Sequence, residues 1–315
     1  WESLMDLSIV FGGRDDNYGE TFIERLEKAL DYNIRLLDES GIDYEIIAVD
    51  YNPIDEKYLY ENKLLKSYLN NKRVKNIIVD NTVILEEDLC STTYYEYFAK
   101  NAGIRISSGD LIFVTNSDIL LTKDLIEEIK KELKNDNKDD YFYRVRYRGD
   151  IQLDQEPSDS PTIIPNGDLL TGHLNGWGDP EQVLDLHENL IHHGLQQQDP
   201  VLGLWSGDAS MFSRNVMFNV ATAYNECEYG HRTEKNQANM DSEILWNLYK
   251  RGKKLKLLDA PYYHLYHGLS RERENHWSKI KYQNDDNWGY ADYNKVDIND
   301  NTVLVYGKDA SIEYE

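Results

Sequence analysis

TTYYEYFAKNAGIRISSGDLIFVTNSD, residues Thr92 to Asp118, changes its periodicity partway along. Thr92 to Ser107 is rich in Tyr and Ala and reads as a helix, and Gly109 interrupts it. Asp110 to Thr115 (DLIFVT) is then a short apolar strand that ends on Asn116-Ser117-Asp118. The same grammar extends toward the N-terminus. Leu7 to Phe11 (LSIVF) is closed by Gly12-Gly13, Tyr44 to Val49 (YEIIAV) ends on Asp50, and Val74 to Val79 (VKNIIV) is a third run. Helical patterns fill the gaps, from Thr21 to Ser40 with Gly41 as its stop and from Ile54 to Asn70. Strand and helix alternate, which predicts an α/β fold with parallel strands and right-handed crossovers.

Toward the C-terminus the grammar loosens. Thr122 to Leu133 is an amphipathic helix and Tyr141 to Tyr147 a strand with alternating Arg. Residues 149–200 are dense in Gly, Pro, Asp, Asn and His, and read either as a substrate loop or lid or as a solvated insertion. Order resumes over Gly207 to Ser213, then a helix from Asn239 to Arg251 stopped by Gly252, then a strand from Leu255 to Leu258 before Asp259-Ala260-Pro261. Thr302 to Tyr306 is a last strand suited to a sheet edge. The expected organisation is one domain over residues 1–283, with an insertion at about 149–200, and an extension over 284–315 packed upon it.

Of the 315 residues, 57 are Asp or Glu and 34 are Lys or Arg, a formal charge of −23 that repels nucleic acid and anionic membranes. A diphosphate can still bind such a surface where a divalent cation and backbone N–H groups neutralise it. Cys90 and Cys227 make no disulfide framework and fit buried thiols in a reducing compartment. With neither an apolar run long enough to span a bilayer nor a signal-peptide pattern, the expected location is cytoplasmic. The chain opens on Trp1-Glu2-Ser3, as expected of a domain cut from a longer protein or of a tag remnant.

In open α/β sheets ligands bind beyond the carboxyl ends of the strands, and the polar residues here gather there. Phe11-Gly12-Gly13-Arg14-Asp15-Asp16-Asn17 follows the first strand, Asp50-Tyr51-Asn52 the second and Asn116-Ser117-Asp118 the fourth. Gly12-Gly13-Arg14 has neither the P-loop nor the dinucleotide-binding glycine spacing, so phosphate neutralisation must come from elsewhere. Asp118 with a histidine of the pair His264 and His267 offers mixed oxygen and nitrogen ligands suited to Mn2+. Asp241 stands at the start of a helix, where the helix dipole favours an acid and where a general base could also sit; the residues alone leave both open.

Lys100 to Phe113 resembles the A-R-N-x-G-I-x-x-A-x-G-x-Y-I-x-F helix and strand of the GT-A glycosyltransferases, in particular their family 2-like members. The strand then reaches the place of that family's D-x-D motif, which reads Asn116-Ser117-Asp118 here, with the first acid replaced. Met240-Asp241-Ser242-Glu243-Ile244 is similar to the E-D-x-D-L helix, with Met240 in place of its Glu, and His264-Leu265-Tyr266-His267 to Y-H-x-x-H. Gly207-Asp208 ahead of Met211-Phe212-Ser213-Arg214, and Asn287-Trp288-Gly289, are similar to the G-D-F-x-L-M-S-R and N-W-G of a subset found in large DNA viruses and bacteria.

The resemblance implies a Rossmann-like, mostly parallel sheet flanked by helices and an inverting transfer of a sugar from a nucleoside-diphosphate donor to the hydroxyl of a glycan or other acceptor. It assigns the nucleotide to Phe11, Gly12, Gly13, Arg14, Asp50, Asn52, Asn101, Arg105 and Ser117, and Mn2+ (or Mg2+) to Asp118, His264 and His267. It also assigns the acceptor to Asp208 and the base to Asp241. A sugar-nucleotide-binding protein without catalysis and a sugar nucleotidyltransferase are the alternatives. Gly12-Gly13-Arg14 supplies the latter's glycine-rich, basic signature poorly.

Overall fold

The computed structural model describes residues 5–16, 18–55, 57–80, 94, 96–157, 208–224, 240–267, 288–290, 294–297 and 303–307. The apolar runs form strands β1 (Met5–Gly13), β2 (Tyr44–Tyr51), β3 (Val74–Val79) and β4 (Gly109–Thr115). Helices α1 (Phe22–Ser40), α2 (Lys66–Leu69) and α3 (Glu96–Ile106) fall between them. The chain continues through β5 (Ile119–Leu120), α4 (Lys123–Leu133), β6 (Tyr141–Ile151), β7 (Ala209–Ser213), α5 (Met240–Lys250), β8 (Lys254–Leu265), β9 (Asn294–Asp297) and β10 (Val303–Gly307). These make one mixed sheet in the order β5-β8-β6-β7-β4-β1-β2-β3-β10-β9. β1 pairs in parallel with both β2 and β4.

All eight residues of β2 are buried, as a strand covered on both faces requires. Alternate residues face opposite layers. Leu7, Ile9 and Phe11 of β1 with Tyr44, Ile46 and Ala48 of β2 pack on one side, where α1 supplies Phe22, Leu26, Leu30, Ile34 and Leu37 at helical spacing. Val10, Ile47, Val49 and Tyr51 pack on the other, against Ala99 and Ala102 of α3 and Leu245 and Leu248 of α5. The left-handed Gly41 (φ 77°) caps α1, and Thr122 Oγ1 accepts from Leu125 N at the start of α4.

Two segments depart from the sequence pattern. The helix expected over residues 54–70 is a 3-10 turn at Leu59–Glu61 and the single turn α2. Polar side chains capture the amides a helix would have used: Asp50 Oδ2 accepts from Leu59 N at 2.8 Å and Asn62 Oδ1 from Leu64 N at 3.0 Å. Asn52 and Asp55 also sit at positive φ (53° and 55°). The strand expected to end at Leu258 instead runs to Leu265 through Asp259-Ala260-Pro261. A register shift between Val145 and Tyr147 in its parallel partner β6 accommodates Pro261, which pairs with Tyr147. β6 likewise reaches Ile151, so the segment expected as a lid begins within a strand, and its residues 158–200 lie outside the described residues. β10 joins the sheet beside β3 with β9 outside it.

α3 lies close on the sheet because residue 103 is glycine: a Cβ there would stand 2.5 Å from Val10 Cγ1 and 3.0 Å from Val49 Cγ2. Gly103→Ala is expected to cost about 1–3 kcal/mol through displacement of α3. Chemical denaturation measures it, and a midpoint equal to that of the unaltered chain would contradict this packing.

Candidate metal and nucleotide site

β5 runs antiparallel to β8, with Ile119 opposite His264, and Leu265 N donates to the Asp118 carbonyl at 2.9 Å. That pairing sets the Asp118 carboxylate beside two imidazoles. His267 Nε2 lies 3.2 Å and His264 Nε2 3.7 Å from Asp118 Oδ2. Ligand atoms of Asp118, His264 and His267 all lie within 4.8 Å of one another, the arrangement of a site that could hold a metal ion. Arg25 Nε approaches the same oxygen at 3.5 Å, an ion pair across almost completely buried side chains. Burial raises the pKa of Asp118, but the hydrogen bond from His267 and the charges of His264, His267 and Arg25 outweigh it and bring the group down to about 2. Asp118 is thus an anion at any physiological pH.

His264 has a second partner that the sequence reading missed. Its Nδ1 lies 2.9 Å from Asp150 Oδ1, which leaves Nε2 to face Asp118. A carboxylate behind an imidazole fixes the tautomer and orients the ring, as behind metal-bound histidines. Arg148 grips Asp150 Oδ1 through Nε (3.1 Å) and Nη2 (3.0 Å), and its Nη1 pairs with Asp208 Oδ2. Burial raises the Asp150 pKa, but the hydrogen bond from His264 and the Arg148 charge reverse that and hold it low. Asp208 Oδ1 accepts from Asn116 Nδ2 at 2.8 Å, and Lys100 Nζ donates to Asn116 Oδ1 at 2.8 Å while pairing with Glu96. In Asp208 burial prevails over the Arg148 charge, and its pKa is raised.

The nucleotide residues expected at the ends of β1 and β2 come together. Phe11, Gly12 and Gly13 end β1, with Gly13 opposite Asp50. Arg14 bonds Asp16 Oδ2 through Nε (3.1 Å) and Nη2 (2.9 Å), and its guanidinium lies over the Tyr94 ring, 5.6 Å from the centroid. Asp50 and Asn52 are buried beside it, and Arg14 Nη1 is 3.5 Å from the Asn52 carbonyl. Asp50 Oδ1 has no hydrogen-bond partner among the described residues. Burial first, and then the charges of Asp15 and Asp16, push Asp50 up to about 7, against the Leu59 amide and Arg14. Ser117 is half-buried, one residue before Asp118.

Asn101 and Arg105 contact residues of later segments. Asn101 is buried and clasps the backbone of Tyr224, donating to its carbonyl (2.8 Å) and accepting from its amide (3.1 Å). Arg105 stacks on Trp288 with 4.5 Å to the ring centroid. It lies nine residues along α3 from Glu96, roughly 14 Å at 1.5 Å per residue. Asp208, expected to face an acceptor, directs both oxygens at Arg148 and Asn116. Asp241 is in the first turn of α5. Of the residues missed, Arg148 and Asp150 had a signal in their two-residue spacing on one strand, which puts both on one face. Arg25 had another, a basic residue on the apolar stripe of α1 between Phe22 and Leu26.

No protein-family model matches the chain, and no curated protein matches it. Among solved structures it is similar to S. aureus TarS 1-349 at 9% identity and TM-score 0.46, over 83% of this chain and 60% of that one. It is similar to mannosyl-3-phosphoglycerate synthase from Rubrobacter xylanophilus at 11% identity and TM-score 0.46, over 85% and 68% of the two chains. A third is mannosyltransferase PcManGT from Pyrobaculum calidifontis, in complex with GDP-Man and Mn2+, at 11% identity and TM-score 0.42 over 84% and 59%. The chain spans about 60% of the length of the TarS fragment. What stands plainly is a mixed α/β architecture with helices on both faces of the sheet.

Asp50 makes a pH prediction. Its folded pKa of about 7 lies above the ordinary 3.8, so between these values the folded chain holds a proton that the unfolded chain has released. Its contribution to stability therefore falls as pH rises through that window, and the ionised, buried carboxylate costs most above it. Asp50→Asn is expected to gain roughly 1–4 kcal/mol over the unaltered chain at about pH 8 and little at about pH 5. Denaturation at the two pH values measures this, and equal gains would show that Asp50 does not titrate in that range.

Proposed function

We propose that the chain is a GT-A type glycosyltransferase that uses a nucleoside-diphosphate sugar, and that a divalent cation sits at Asp118, His264 and His267. The observation that carries this reading is that three-residue cluster, at the carboxyl ends of the strands where the loop after β1 and Asp50 also converge. The family-like motifs around Asn116-Ser117-Asp118 and His264 to His267 meet in space although about 150 residues separate them in sequence. The donor set fits such an ion: one hard carboxylate and two imidazoles, with the second nitrogen of His264 held by Asp150. Two imidazoles favour Mn2+ over Mg2+, which takes oxygen ligands almost exclusively.

In this reading Phe11, Gly12, Gly13, Arg14, Asp50, Asn52 and Ser117 form the donor pocket, and Asp50 Oδ1 accepts from an N–H of the donor. Asn101 and Arg105 support it from behind, through Tyr224 and Trp288. The cation, when bound, supplies Lewis-acid stabilisation of the diphosphate leaving group. Asp241 removes the proton of the acceptor hydroxyl. The acceptor oxygen then bonds to the anomeric carbon as the bond to the diphosphate breaks, and the configuration inverts. Asp208 serves by fixing Arg148 and Asn116 beneath the acceptor side. The acceptor is a glycan or another hydroxyl compound.

A second reading, donor binding without transfer, has one specific support: Asn116 stands where the family's motif has an acid. A panel of UDP-, GDP- and dTDP-sugars with Mn2+ separates the two, since binding with neither transfer nor hydrolysis would rule out the enzyme. Asp118→Ala is expected to abolish Mn2+-dependent donor binding, followed by calorimetry with and without the ion. Asp241→Asn is expected to lower turnover by about 100-fold or more while donor affinity stays unchanged. Ordinary turnover in that variant would remove Asp241 from the role of base.

A further inference from the structure

We infer that Tyr18 and Gly19, in the loop between β1 and α1, are positioning residues for the metal site, holding the His267 imidazole against Asp118. The inference rests on the metal reading above and adds residues that no motif singled out. His264 lies within β8, where the ladder with Ile119 and Asp150 fixes its backbone. His267 lies two residues beyond the end of that strand. Its ring meets the His264 ring at 5.1 Å between centroids, and the β1–α1 loop, from the other end of the chain, also packs on it. The Tyr18 ring meets it edge-on, with 4.9 Å between centroids and 64° between planes. Gly19 presents bare backbone to it: a Cβ at that position would stand 2.8 Å from His267 Nδ1, 2.9 Å from its Cβ and 3.0 Å from its Cγ.

The loop is itself fastened to Asp118. Arg25 Nη2 donates to the Tyr18 carbonyl at 2.8 Å, and Nη1 reaches the Gly19 carbonyl at 3.3 Å and Thr21 Oγ1 at 3.1 Å. The remaining nitrogen, Nε, faces Asp118 Oδ2. One guanidinium therefore ties the loop to the carboxylate while the loop presses on the imidazole. Upstream, Asp16 Oδ1 accepts from Tyr18 N at 3.2 Å and Asp16 Oδ2 holds Arg14, so the same loop is anchored at the donor pocket. Gly19 has φ 67°, a conformation that glycine adopts at little cost.

Gly41 provides the control. It too has positive φ (77°), but a Cβ there meets nothing within 4 Å. An alanine at either position suffers the left-handed strain, and at position 19 alone does it also strike a histidine. Gly19→Ala is expected to weaken Mn2+ binding by roughly 10–100-fold, the range seen when groups that orient metal ligands are lost. It is also expected to alter the visible d–d spectrum of bound Co2+. Gly41→Ala is expected to lower thermal stability with Mn2+ affinity and Co2+ spectrum unchanged. Should Gly19→Ala fail to fold, Tyr18→Leu, which removes the ring contact without backbone strain, carries the same expectation of weaker Mn2+ binding. Calorimetric titration with Mn2+ alone reads all of these. Wild-type affinity and spectrum in Gly19→Ala, or in Tyr18→Leu where that variant stands in, would overturn the inference, as would equal loss in Gly41→Ala. An unaltered chain that binds no Mn2+ overturns the metal reading itself, and the two failures are thereby distinct.

Discussion

The hydrogen bond from Leu265 N to the Asp118 carbonyl joins the acid to the two histidines. Asp118 follows β4 by three residues and His264 lies on a strand formed about 150 residues later, so no local preference brings them together. Backbone pairing does. β5 is two residues long, yet its antiparallel register with β8 sets Ile119 opposite His264 and leaves Asp118 at the strand's end, where its side chain meets both imidazoles. The long parallel pairing of β6 with β8 then puts Asp150 opposite His264, supplying a carboxylate to the nitrogen that does not face Asp118. A one-residue slip in either register would send these side chains to the opposite face of the sheet.

Such a site concentrates buried charge that the rest of the structure must neutralise. Asp118, Asp150 and Asp208 are carried within a few residues of one another in space, and Arg25, Arg148 and Lys100 are buried among them. Each ion costs several kcal/mol to desolvate, and only well-directed partners offset that cost. The partners here use most of their donors: Arg148 spans two carboxylates and Arg25 combines one carboxylate with three oxygens of the β1–α1 loop. The directions of the pKa shifts follow the local balance. Where cations converge, at Asp118, the acid is held low; at Asp50, whose neighbours include Asp15 and Asp16, burial prevails and the group rises.

The alternation of apolar runs was enough to read β1 to β4 and the helices α1, α3 and α4, because each strand buries both faces and each helix one stripe. Leucines at helical spacing predict a helix over residues 54–70, but the side chains of Asp50 and Asn62 take backbone amides out of helix formation. Asp259-Ala260-Pro261 reads as a turn that ends β8, because a turn-like tripeptide gives no sign of the bulge in a partner strand that accommodates it. Asp118, His264 and His267 were legible through residue type and position at strand ends. Asp150 and Arg25 carry weaker signals, a two-residue strand spacing and a basic residue on an apolar stripe, and neither signal reveals the tertiary contact each makes with His264 or Asp118.

Asn116 is tied closely into this network. Its amide accepts from Lys100 at one end and donates to Asp208 at the other, a pairing only a group with both a carbonyl and an N–H can make. An aspartate there would set a carboxylate oxygen at about hydrogen-bond distance from Asp208 Oδ1, with no proton between them unless one acid stayed neutral. Positions 116 and 208 therefore share one negative charge, and Arg148 pairs with it directly. Asp118 is the one acid of the three-residue cluster, and Arg25 and the two histidines lie against its Oδ2.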